Sequence, residues 1–466
     1  MMQREDSLII KNGIVVTAEK IQQADVYIVG EKIAKIGRNL HLSAAQVIDA
    51  SNCYLFPGGI DPHVHMDLPI KDFYSSDSFT TGSAAALHGG TTTIIDFANQ
   101  AKGRSLIEAV DEWQSRADRK CHCDYAFHAS ITDYNNTTRK EVSQCIDDYG
   151  ITSFKTFTAY KSSLMIDDRQ LIQVMTDVAK QGGLVLSHAE NGDLIDSQMD
   201  KYRQEGNLAP KYHALSHPGV AEAEAVSRVI DLAYATNCPL YIVHLSSGQS
   251  LERIKFLNCL KRKSPPIFVE TCPQYLLLDE SLYEQEDLEA AKYVMSPPIR
   301  AKSDREALWK ALKSGLVTSI GTDHCPFLLQ QKKLGLGDFS KIPNGIPGVE
   351  HRMELLYSEG VEKGRISLKR FVELTSTAAA KVFGLYPRKG SIKPGADADI
   401  VIFDPAQKHI LSSKTHHMNC DYSVYEGLKV KGKCWITILR GVVAACDGAI
   451  RVEKGFGMYL KRHPVL

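Results

Sequence analysis

The feature that most constrains the fold is a series of eight short apolar runs, most of them separated by stretches with helical periodicity. The runs are rich in Val, Ile, Phe and Thr and lack strict polar alternation, which is typical of parallel strands covered on both faces. Such an alternation predicts an α/β fold of the (β/α)₈ TIM-barrel type, although a doubly wound open sheet would give similar runs. The runs occupy residues 54–65, 91–97, 125–131, 152–157, 184–188, 240–245, 267–271 and 318–323.

Both ends of the chain have a different texture, with short strand-like segments separated by turn residues. At the N-terminal end these segments are 7–16, 24–29, 32–36 and 46–48, and at the C-terminal end they are 398–403, 433–440 and 442–446. Because chain ends often lie close together, we expect one smaller β-sandwich domain built from both termini. The predicted division is 1–53 with 386–466 for the sandwich and 54–385 for the barrel.

Ionisable side chains fall at the C-terminal ends of five of the apolar runs. Active sites of (β/α)₈ barrels are assembled at that end of the strands, so this distribution favours a barrel over an open sheet. Two histidines that lie two residues apart in a strand point to the same side and can bind one divalent ion. The residues concerned are His63 and His65, Lys155, His188, His244 and Asp323.

Lys155 is unusual in this set, because an ammonium group beside histidines in a barrel mouth is costly unless its charge is removed or paired. A neutral amine that reacts with carbon dioxide becomes a carbamate, an anionic oxygen donor long enough to bridge two metal ions. This modification, to N6-carboxylysine, would explain a lysine among metal ligands.

Other candidate residues have a simpler structural interpretation, since a single histidine at a strand end is more often a satisfied polar group than a ligand. We expect His324 and Cys325, which follow Asp323, to pack or to form supporting hydrogen bonds. Glu222 and Glu224 lie in a helical stretch, 220–235, and are interpreted as surface or helix-start charges. Five further histidines are interpreted as structural, namely His128, His213, His217, His416 and His417.

Composition excludes several classes of function. The chain has 55 Lys+Arg and 55 Asp+Glu residues, hence no net charge with which to hold nucleic acid or an anionic membrane. No apolar run reaches the 18 or more residues of a membrane span, and no secretory signal precedes the first strands. The lack of such a signal predicts a cytoplasmic location. The eleven cysteines are scattered without a CxxC pair, which predicts buried, reduced thiols.

Taken in order, the motifs resemble those of the amidohydrolase superfamily, in its hydantoinase/dihydropyrimidinase branch. The likeness extends over essentially the whole chain and includes 56–61, 89–92, 270–275, 296–300 and 343–348. The metal motifs are His63-Val64-His65, Ser153-Phe154-Lys155-Thr156-Phe157, Ser187-His188-Ala189-Glu190-Asn191, Val243-His244-Leu245-Ser246 and Gly321-Thr322-Asp323-His324.

The resemblance implies a binuclear metal site. His63, His65 and Asp323 would hold the more buried ion, and His188 and His244 the more exposed one, with carboxylated Lys155 and a hydroxide bridging the two. Zinc is the usual metal in relatives, although the nitrogen and oxygen ligands would also accept manganese, cobalt or nickel.

The implied reaction is opening of the ring of a cyclic ureide or imide, such as a 5-substituted hydantoin or a dihydropyrimidine, to an N-carbamoyl amino acid. The bridging hydroxide would attack the ring amide carbonyl, Tyr160 would stabilise the oxyanion, and Asp323 would act as base and then acid. Main-chain groups of Ser296 and Asn344 would bind the ureide edge together with Tyr160.

Several alternatives within the superfamily fit less well. Mononuclear deaminases usually lack the bridging lysine, and dihydroorotases carry an arginine shortly after the paired histidines, where this chain has Met66-Asp67-Leu68. An allantoinase-like activity and a non-catalytic scaffold of the response-mediator type stay open. Because all six ligand positions carry competent side chains, the scaffold is disfavoured.

Substrate choice is assigned to a candidate wall of Ile70, Phe73, Tyr74, Phe157 and the loop 162–165. From the resemblance alone we expect a preference for D-hydantoins and a homotetramer or homodimer.

Overall fold

The computed structural model describes residues 7–70, 73–260 and 265–464. In chain order the strands are β1 Ser7–Lys11, β2 Ile14–Val16, β3 Ile21–Gln23, β4 Asp25–Val29, β5 Lys32–Gly37, β6 Gln46–Asp49, β7 Tyr54–Pro57, β8 Gly59–Val64, β9 Pro69–Ile70, β10 Phe73–Tyr74, β11 Thr91–Asn99, β12 Asp124–Ser130, β13 Ser153–Phe157, β14 Leu184–His188, β15 Leu240–Ile242, β16 Ile267–Thr271, β17 Ser319–Ile320, β18 Ile400–Ile410, β19 Lys429–Leu439, β20 Val442–Cys446 and β21 Ala449–Ile450.

The α-helices are α1 Phe79–His88, α2 Leu106–Ala117, α3 Asn136–Asp147, α4 Asp168–Lys180, α5 Gly192–Gln204, α6 Lys211–Ser216, α7 Gly219–Thr236, α8 Gly248–Leu260, α9 Pro273–Leu277, α10 Asp287–Ala291, α11 Lys302–Ser314, α12 Leu329–Lys333, α13 Arg352–Leu356, α14 Leu368–Val372 and α15 Ala378–Val382. Short 3₁₀ turns lie at Glu280–Glu284 and Phe339–Lys341. π-Helical turns at Tyr357–Glu362 and Glu373–Thr377 continue α13 and join α14 to α15.

Eight parallel strands form the central sheet, in the order β17-β16-β15-β14-β13-β12-β11-β8. Beyond β17, an isolated parallel bridge between Val64 and His324 joins the two ends of the sheet. The side chains of Ile60, Ile95 and Leu186 fill the interior, while helices cover the outside. The predicted barrel is therefore confirmed.

The first apolar run is not one barrel strand as predicted but two strands in different sheets. β7 pairs with β18 and β2 of the terminal sheet, whereas β8 pairs with β11 of the barrel. Gly58 lies between them, and a Cβ atom there would come within 2.1 Å of the Thr92 hydroxyl. The chain thus passes from one sheet to the other at a point where only glycine fits.

The two ends of the chain build a pair of sheets, as the sequence predicts. One has the order β5-β4-β1-β6, and the other has the order β21-β20-β19-β18-β7-β2-β3. A separate apolar core lies between them, and it includes Ile10, Val26, Leu55, Ile400 and Ile438. The domain bounds given above stay a prediction.

Buried ion pairs connect the barrel to the terminal sheets. The Lys389 ammonium lies 2.6 Å from Asp124 at the start of β12, 2.7 Å from Asp399 and 3.1 Å from Asp397. Near the chain end, the buried Arg462 guanidinium donates to the Ser153 hydroxyl of β13 at 2.9 Å. Among the described residues, no helix is both long enough and apolar enough to cross a membrane.

Candidate metal centre and active site

The six predicted ligands meet at the C-terminal end of the barrel. Lys155 and His188 lie on β13 and β14, and the alternation along β14 points His188 to the interior with Leu184 and Leu186. One Asp323 carboxylate oxygen, Oδ1, lies 3.2 Å from His63 Nε2 and 3.1 Å from His65 Nε2. The donor atoms of His63, His244 and Asp323 all lie within 4.8 Å of one another.

Two of these ligands have left-handed backbone conformations, with φ of 38° at His244 and 54° at Asp323. Tyr160, the predicted oxyanion donor, has φ of 65°. Non-glycine residues seldom adopt this conformation, and it concentrates where the surrounding structure holds a functional group in place. All three residues follow barrel strands at the same end, so these three strained positions lie at the candidate site.

Glu270, at the end of β16, orients His63. Its carboxylate accepts a hydrogen bond from His63 Nδ1 at 2.7 Å and another from the His244 main-chain N–H at 2.9 Å. Because Nδ1 carries the proton, His63 Nε2 presents its lone pair to the centre of the barrel mouth, where it has no hydrogen-bond partner. The local sequence did not indicate this role for Glu270.

Glu190 orients His188, but it binds the Nε2 of this ring and not the Nδ1. Its carboxylate accepts from His188 Nε2 at 2.9 Å, which leaves Nδ1 facing His244 Nε2 at 2.9 Å. Burial opposes ionisation of Glu190, but the hydrogen bond with His188 and the charges of His217 and Arg300 lower its pKa to about 2. Glu190 lies in the motif Ser187–Asn191, but its local sequence does not indicate this role.

These contacts fit a cation at the centre. A lone pair on His63 Nε2 faces the Asp323 carboxylate at 3.2 Å, and two imidazole nitrogens face each other between His188 and His244. Lone pairs that converge in a buried site repel unless a proton or a metal ion lies between them. Neutral imidazole and carboxylate are the donors that bind zinc and similar divalent ions.

Lys155 lies among aromatic rings. Its Nζ is 4.7 Å from the centre of the Phe97 ring and 5.3 Å from that of Phe157. Burial lowers the pKa of Lys155 to about 8, although the negative charges of Asp323 and Glu270 oppose the shift. An amine with a lowered pKa exists in part as the neutral, nucleophilic form at neutral pH.

The three predicted substrate contacts also lie together. The Tyr160 and Ser296 side chains lie close enough to interact, and the Asn344 amide donates to the Ser296 hydroxyl at 3.0 Å. The Tyr160 ring lies 5.1 Å from the ring of His188, next to the ligands. Burial raises the pKa of Tyr160, so its hydroxyl keeps its proton and can donate it in a hydrogen bond.

The main chain at these positions is available for a ligand. Across the described ranges of the chain, no main-chain hydrogen bond uses the N–H or C=O of Ser296 or Asn344. Both neighbouring segments are nonetheless fixed, since Tyr275 donates to the Pro297 carbonyl at 2.7 Å and the Gly345 N–H donates to Val294 at 3.0 Å. Free main-chain groups on a fixed loop suit recognition of a planar ureide.

The structural interpretation of the other histidines agrees with their contacts. His324 donates from Nε2 to Asp77 at 3.0 Å and accepts the Gly348 N–H at Nδ1, which confirms the expected hydrogen bonding. His128 donates to the Pro62 carbonyl at 3.0 Å, and His213 donates to the Met295 carbonyl at 2.8 Å.

Glu222 and Glu224 are predicted to be surface or helix-start charges, and each fits one of these two alternatives. Glu222 is in the first turn of α7 as expected, but it is only 2% exposed and not a surface charge. Its carboxylate accepts hydrogen bonds from Ser247 N at 2.9 Å and Ser250 Oγ at 2.6 Å, at the start of α8. Glu224 does lie at the surface, where it pairs with Arg228.

The candidate wall for the substrate's exocyclic group is partly assembled. The Phe157 ring lies 5.9 Å from the His188 ring and 6.3 Å from that of Tyr160. β9 and β10 form a hairpin whose Phe73 contacts Phe327 edge to face at 6.0 Å. The assignment of these side chains to substrate choice stays a prediction.

Comparison with known proteins shows the family of this chain. Residues 54–444 match the amidohydrolase family, and the chain belongs to that family.

Among curated proteins, the chain is 47% identical to a D-hydantoinase of Geobacillus stearothermophilus, over 97% of this chain and 96% of that one. Among solved structures, it superposes on a dihydropyrimidinase from Brevibacillus agri with a TM-score of 0.97, at 45% identity and 99% coverage of both chains. A D-hydantoinase from Bacillus sp. AR9 gives a TM-score of 0.96 at 47% identity, over 98% of this chain and 99% of that one. The resemblance inferred from the motifs is confirmed.

Proposed function

We propose that this protein is a cyclic amidohydrolase that opens the ring of 5-substituted hydantoins and dihydropyrimidines to N-carbamoyl amino acids. The observation that carries the proposal is that the six predicted ligand side chains lie together, next to Tyr160, at one end of the barrel. The names of the relatives described above, which are hydantoinases and a dihydropyrimidinase, support the same reaction.

We propose that two divalent ions, zinc in the first instance, bind here. His63, His65 and Asp323 would hold one and His188 and His244 the other, with Lys155 as N6-carboxylysine between them. When bound, such ions supply hydroxide at neutral pH and polarise the carbonyl under attack. The lowered pKa of Lys155 supports the carbamate, because only the neutral amine reacts with carbon dioxide.

The chain's own residues orient the substrate and move its protons. The Tyr160 hydroxyl would donate to the carbonyl oxygen as negative charge develops there. The free main-chain groups of Ser296 and Asn344 would hold the ureide edge. Asp323 would take the proton of the attacking water and pass it to the leaving ring nitrogen.

Three further points stay proposals. The similarity to D-hydantoinases supports a preference for the D enantiomer. The homotetramer or homodimer inferred from the resemblance is checked by light scattering. The cytoplasmic location is the third proposal, and it is supported by the free state of all eleven cysteines. Nine of these thiols are buried as predicted, whereas Cys259 is exposed and Cys446 is partly exposed.

The experiment that tests the function compares wild type with Lys155→Ala after expression with zinc and bicarbonate. Metal content and ring opening of hydantoin, phenylhydantoin and dihydrouracil are measured, with Lys180→Ala, an exposed lysine on α4, as the matched control. We expect about two ions per wild-type chain and an inactive, metal-poor Lys155→Ala variant. A wild type that binds no metal, or binds metal and opens none of the three rings, would contradict the proposal.

A further inference from the structure

A second lysine is buried near the active site and has no part in the reaction described above. Lys332, in α12, is 0% exposed. Its Nζ donates to three main-chain carbonyl oxygens, those of Val294 at 2.9 Å, Pro343 at 2.8 Å and Gly345 at 2.9 Å. All three N–H bonds of an ammonium group are thereby used.

The three acceptors belong to the two segments that carry the proposed substrate contacts. Val294 lies two residues before Ser296, and Pro343 and Gly345 are the immediate neighbours of Asn344. The Gly345 N–H also donates to Val294, so the ammonium group lies where the two segments already touch.

The second segment packs closely against the end of the last barrel strand. Gly345 has φ of 145°, and a Cβ atom there would lie 2.3 Å from the Cys325 carbonyl oxygen. The Cys325 N–H in turn donates to Ile346 at 3.0 Å, which ties this segment to the end of the last barrel strand.

Only the charged form of Lys332 satisfies all three carbonyls, because a neutral amine has two N–H bonds. The titratable groups facing it are the thiols of Cys325 and Cys420 and the ring of His213, none of which is a carboxylate. Burial lowers the pKa of Lys332 to about 7, while the carbonyl dipoles favour the ammonium form. A buried ammonium group is costly in a structural core, so its position between two substrate-binding segments requires an explanation.

We propose that Lys332 is a positioning residue that fixes the spacing between Ser296 and Asn344, and hence the distance between the two main-chain contacts to the cyclic substrate. The inference rests on the proposed function, because that function assigns substrate contacts to these residues. Lys332 touches neither the metal ligands nor the substrate and acts through the two segments that it joins.

The kinetic test uses the metal-loaded enzyme with Lys332→Met, which keeps the length of the side chain but removes every donor. The carbonyls of Pro343 and Gly345 lose their hydrogen-bond partner and that of Val294 keeps only the Gly345 N–H. We therefore expect KM for hydantoin to rise about tenfold or more, with kcat changed less than about threefold. Lys332→Gln keeps two N–H donors and is expected to raise KM less. Lys333→Met, at the exposed neighbouring position, is the matched control and should behave as wild type.

Hydrogen exchange gives a readout that does not depend on turnover. In Lys332→Met and Lys332→Gln, we expect faster exchange in peptides covering 293–298 and 343–346, with β14 and β16 unchanged and the metal content as in wild type. If Lys332→Met does not fold, the positioning role is tested with Lys332→Gln alone. Its steady-state kinetics and its hydrogen exchange in 293–298 and 343–346 are then compared with those of wild type.

The outcomes separate this inference from the proposed function. Unchanged exchange in both segments, or a fall in kcat with KM unchanged, would overturn the positioning role even if wild type opens the ring. A wild type without activity on any cyclic ureide would overturn the proposed function, and with it the substrate role of Lys332, while the exchange data would still show whether Lys332 joins the two segments.

Discussion

At the scale of single residues, the candidate centre depends on which nitrogen each imidazole presents. Glu270 holds the Nδ1 proton of His63, so that ring offers Nε2, whereas Glu190 holds the Nε2 proton of His188, so that ring offers Nδ1. Carboxylates in this position fix the tautomer and increase the basicity of the ligand nitrogen. The two proposed metal positions thus have separate supporting carboxylates.

Glu190→Gln should weaken one metal position selectively. The amide keeps the shape of the side chain but removes the charge that supports His188, so we expect a loss of about 10–100-fold in affinity for the ion held by His188 and His244. The ion held by His63 should stay bound. Zinc titration against a competing chelator, with the metal content of the isolated protein, measures both affinities.

The exposed Asp193→Asn variant, three residues away, serves as the control and should bind two ions as wild type does. Equal weakening of both positions in Glu190→Gln would contradict the idea that each carboxylate supports its own ligand.

Spacing in the sequence could predict the ligands but not their partners. His63 and His65 are recognisable because they lie two apart on one strand, where alternation forces both to one side. Glu270 is 207 residues from His63, and nothing in its local sequence indicates a hydrogen bond that forms only when the barrel closes. The same holds for Lys332, whose carbonyl partners have no side-chain signature at all.

At the scale of elements, a carboxylate from one helix caps the next. Glu222 of α7 accepts hydrogen bonds from the Ser246 and Ser247 main-chain N–H groups and from Ser250, just before and within the first turn of α8. A negative charge there also interacts favourably with the helix dipole. The capped segment follows His244 directly, so the cap helps to position that ligand.

Glu222→Gln should therefore destabilise the protein, whereas Glu224→Gln on the same helix should not. The amide cannot accept all of these hydrogen bonds, and we expect a cost of about 1–3 kcal/mol in the free energy of unfolding. The thermal midpoint, combined with hydrogen exchange at the start of α8, measures the effect. Equal midpoints for the two variants would contradict the capping role.

Periodicity predicts the positions of most strands and helices, but it does not show that the first apolar run contains two strands, β7 and β8. Residues 54–65 are predicted as one run despite the Pro57-Gly58-Gly59 break within them, because burial on both faces looks the same whichever sheet a strand joins. Only the pairing of β7 with β18, more than 300 residues later in the chain, separates it from β8. The strand cores β15 and β17 are shorter than their runs because the chain turns toward the site at His244 and Asp323.

At the scale of the whole molecule, Lys389 joins the barrel to the terminal sheets through three acidic residues. Asp124 also pairs with Arg440, and Asp397 also pairs with Lys32 and Arg388, which leaves Lys389 as the cation nearest to Asp399. Burial raises the pKa of Asp399 and the charge of Lys389 opposes this, while the carboxylates together raise the pKa of Lys389.

Lys389→Met should lower the free energy of unfolding by about 3–5 kcal/mol near neutral pH, because it leaves buried carboxylates without their cation. Without Lys389, the folded-state pKa of Asp399 rises further above its unfolded value, so the folded state binds more protons and the variant regains stability as the pH falls. Denaturation of variant and wild type at pH 8 and pH 5 should show that their free energies of unfolding differ less at pH 5 than at pH 8. Lys408→Met, an exposed position on β18, is the control, and a difference independent of pH would contradict the account.

The broad architecture followed from the sequence because it depends on repeated patterns: eight apolar runs for the barrel and two β-rich ends for the terminal sheets. What escaped prediction depends on contacts between distant segments. The loop between β18 and β19 is an example, since Asn419 donates its main-chain N–H to Asp77, the residue that also accepts from His324 beside Asp323.

The pairing of β7 with β18 has a consequence for the order of events during synthesis. A ribosome releases the N-terminal segments long before residues 400–403 are synthesised. The edge of β7 that pairs with β18 therefore has no partner while the barrel helices and strands emerge. Contacts between such distant segments carry a large loop-closure cost and form late. β8 carries the proposed ligand His63 and follows β7 directly. We therefore expect β8 to become anchored to the terminal sheet in one of the last steps of folding.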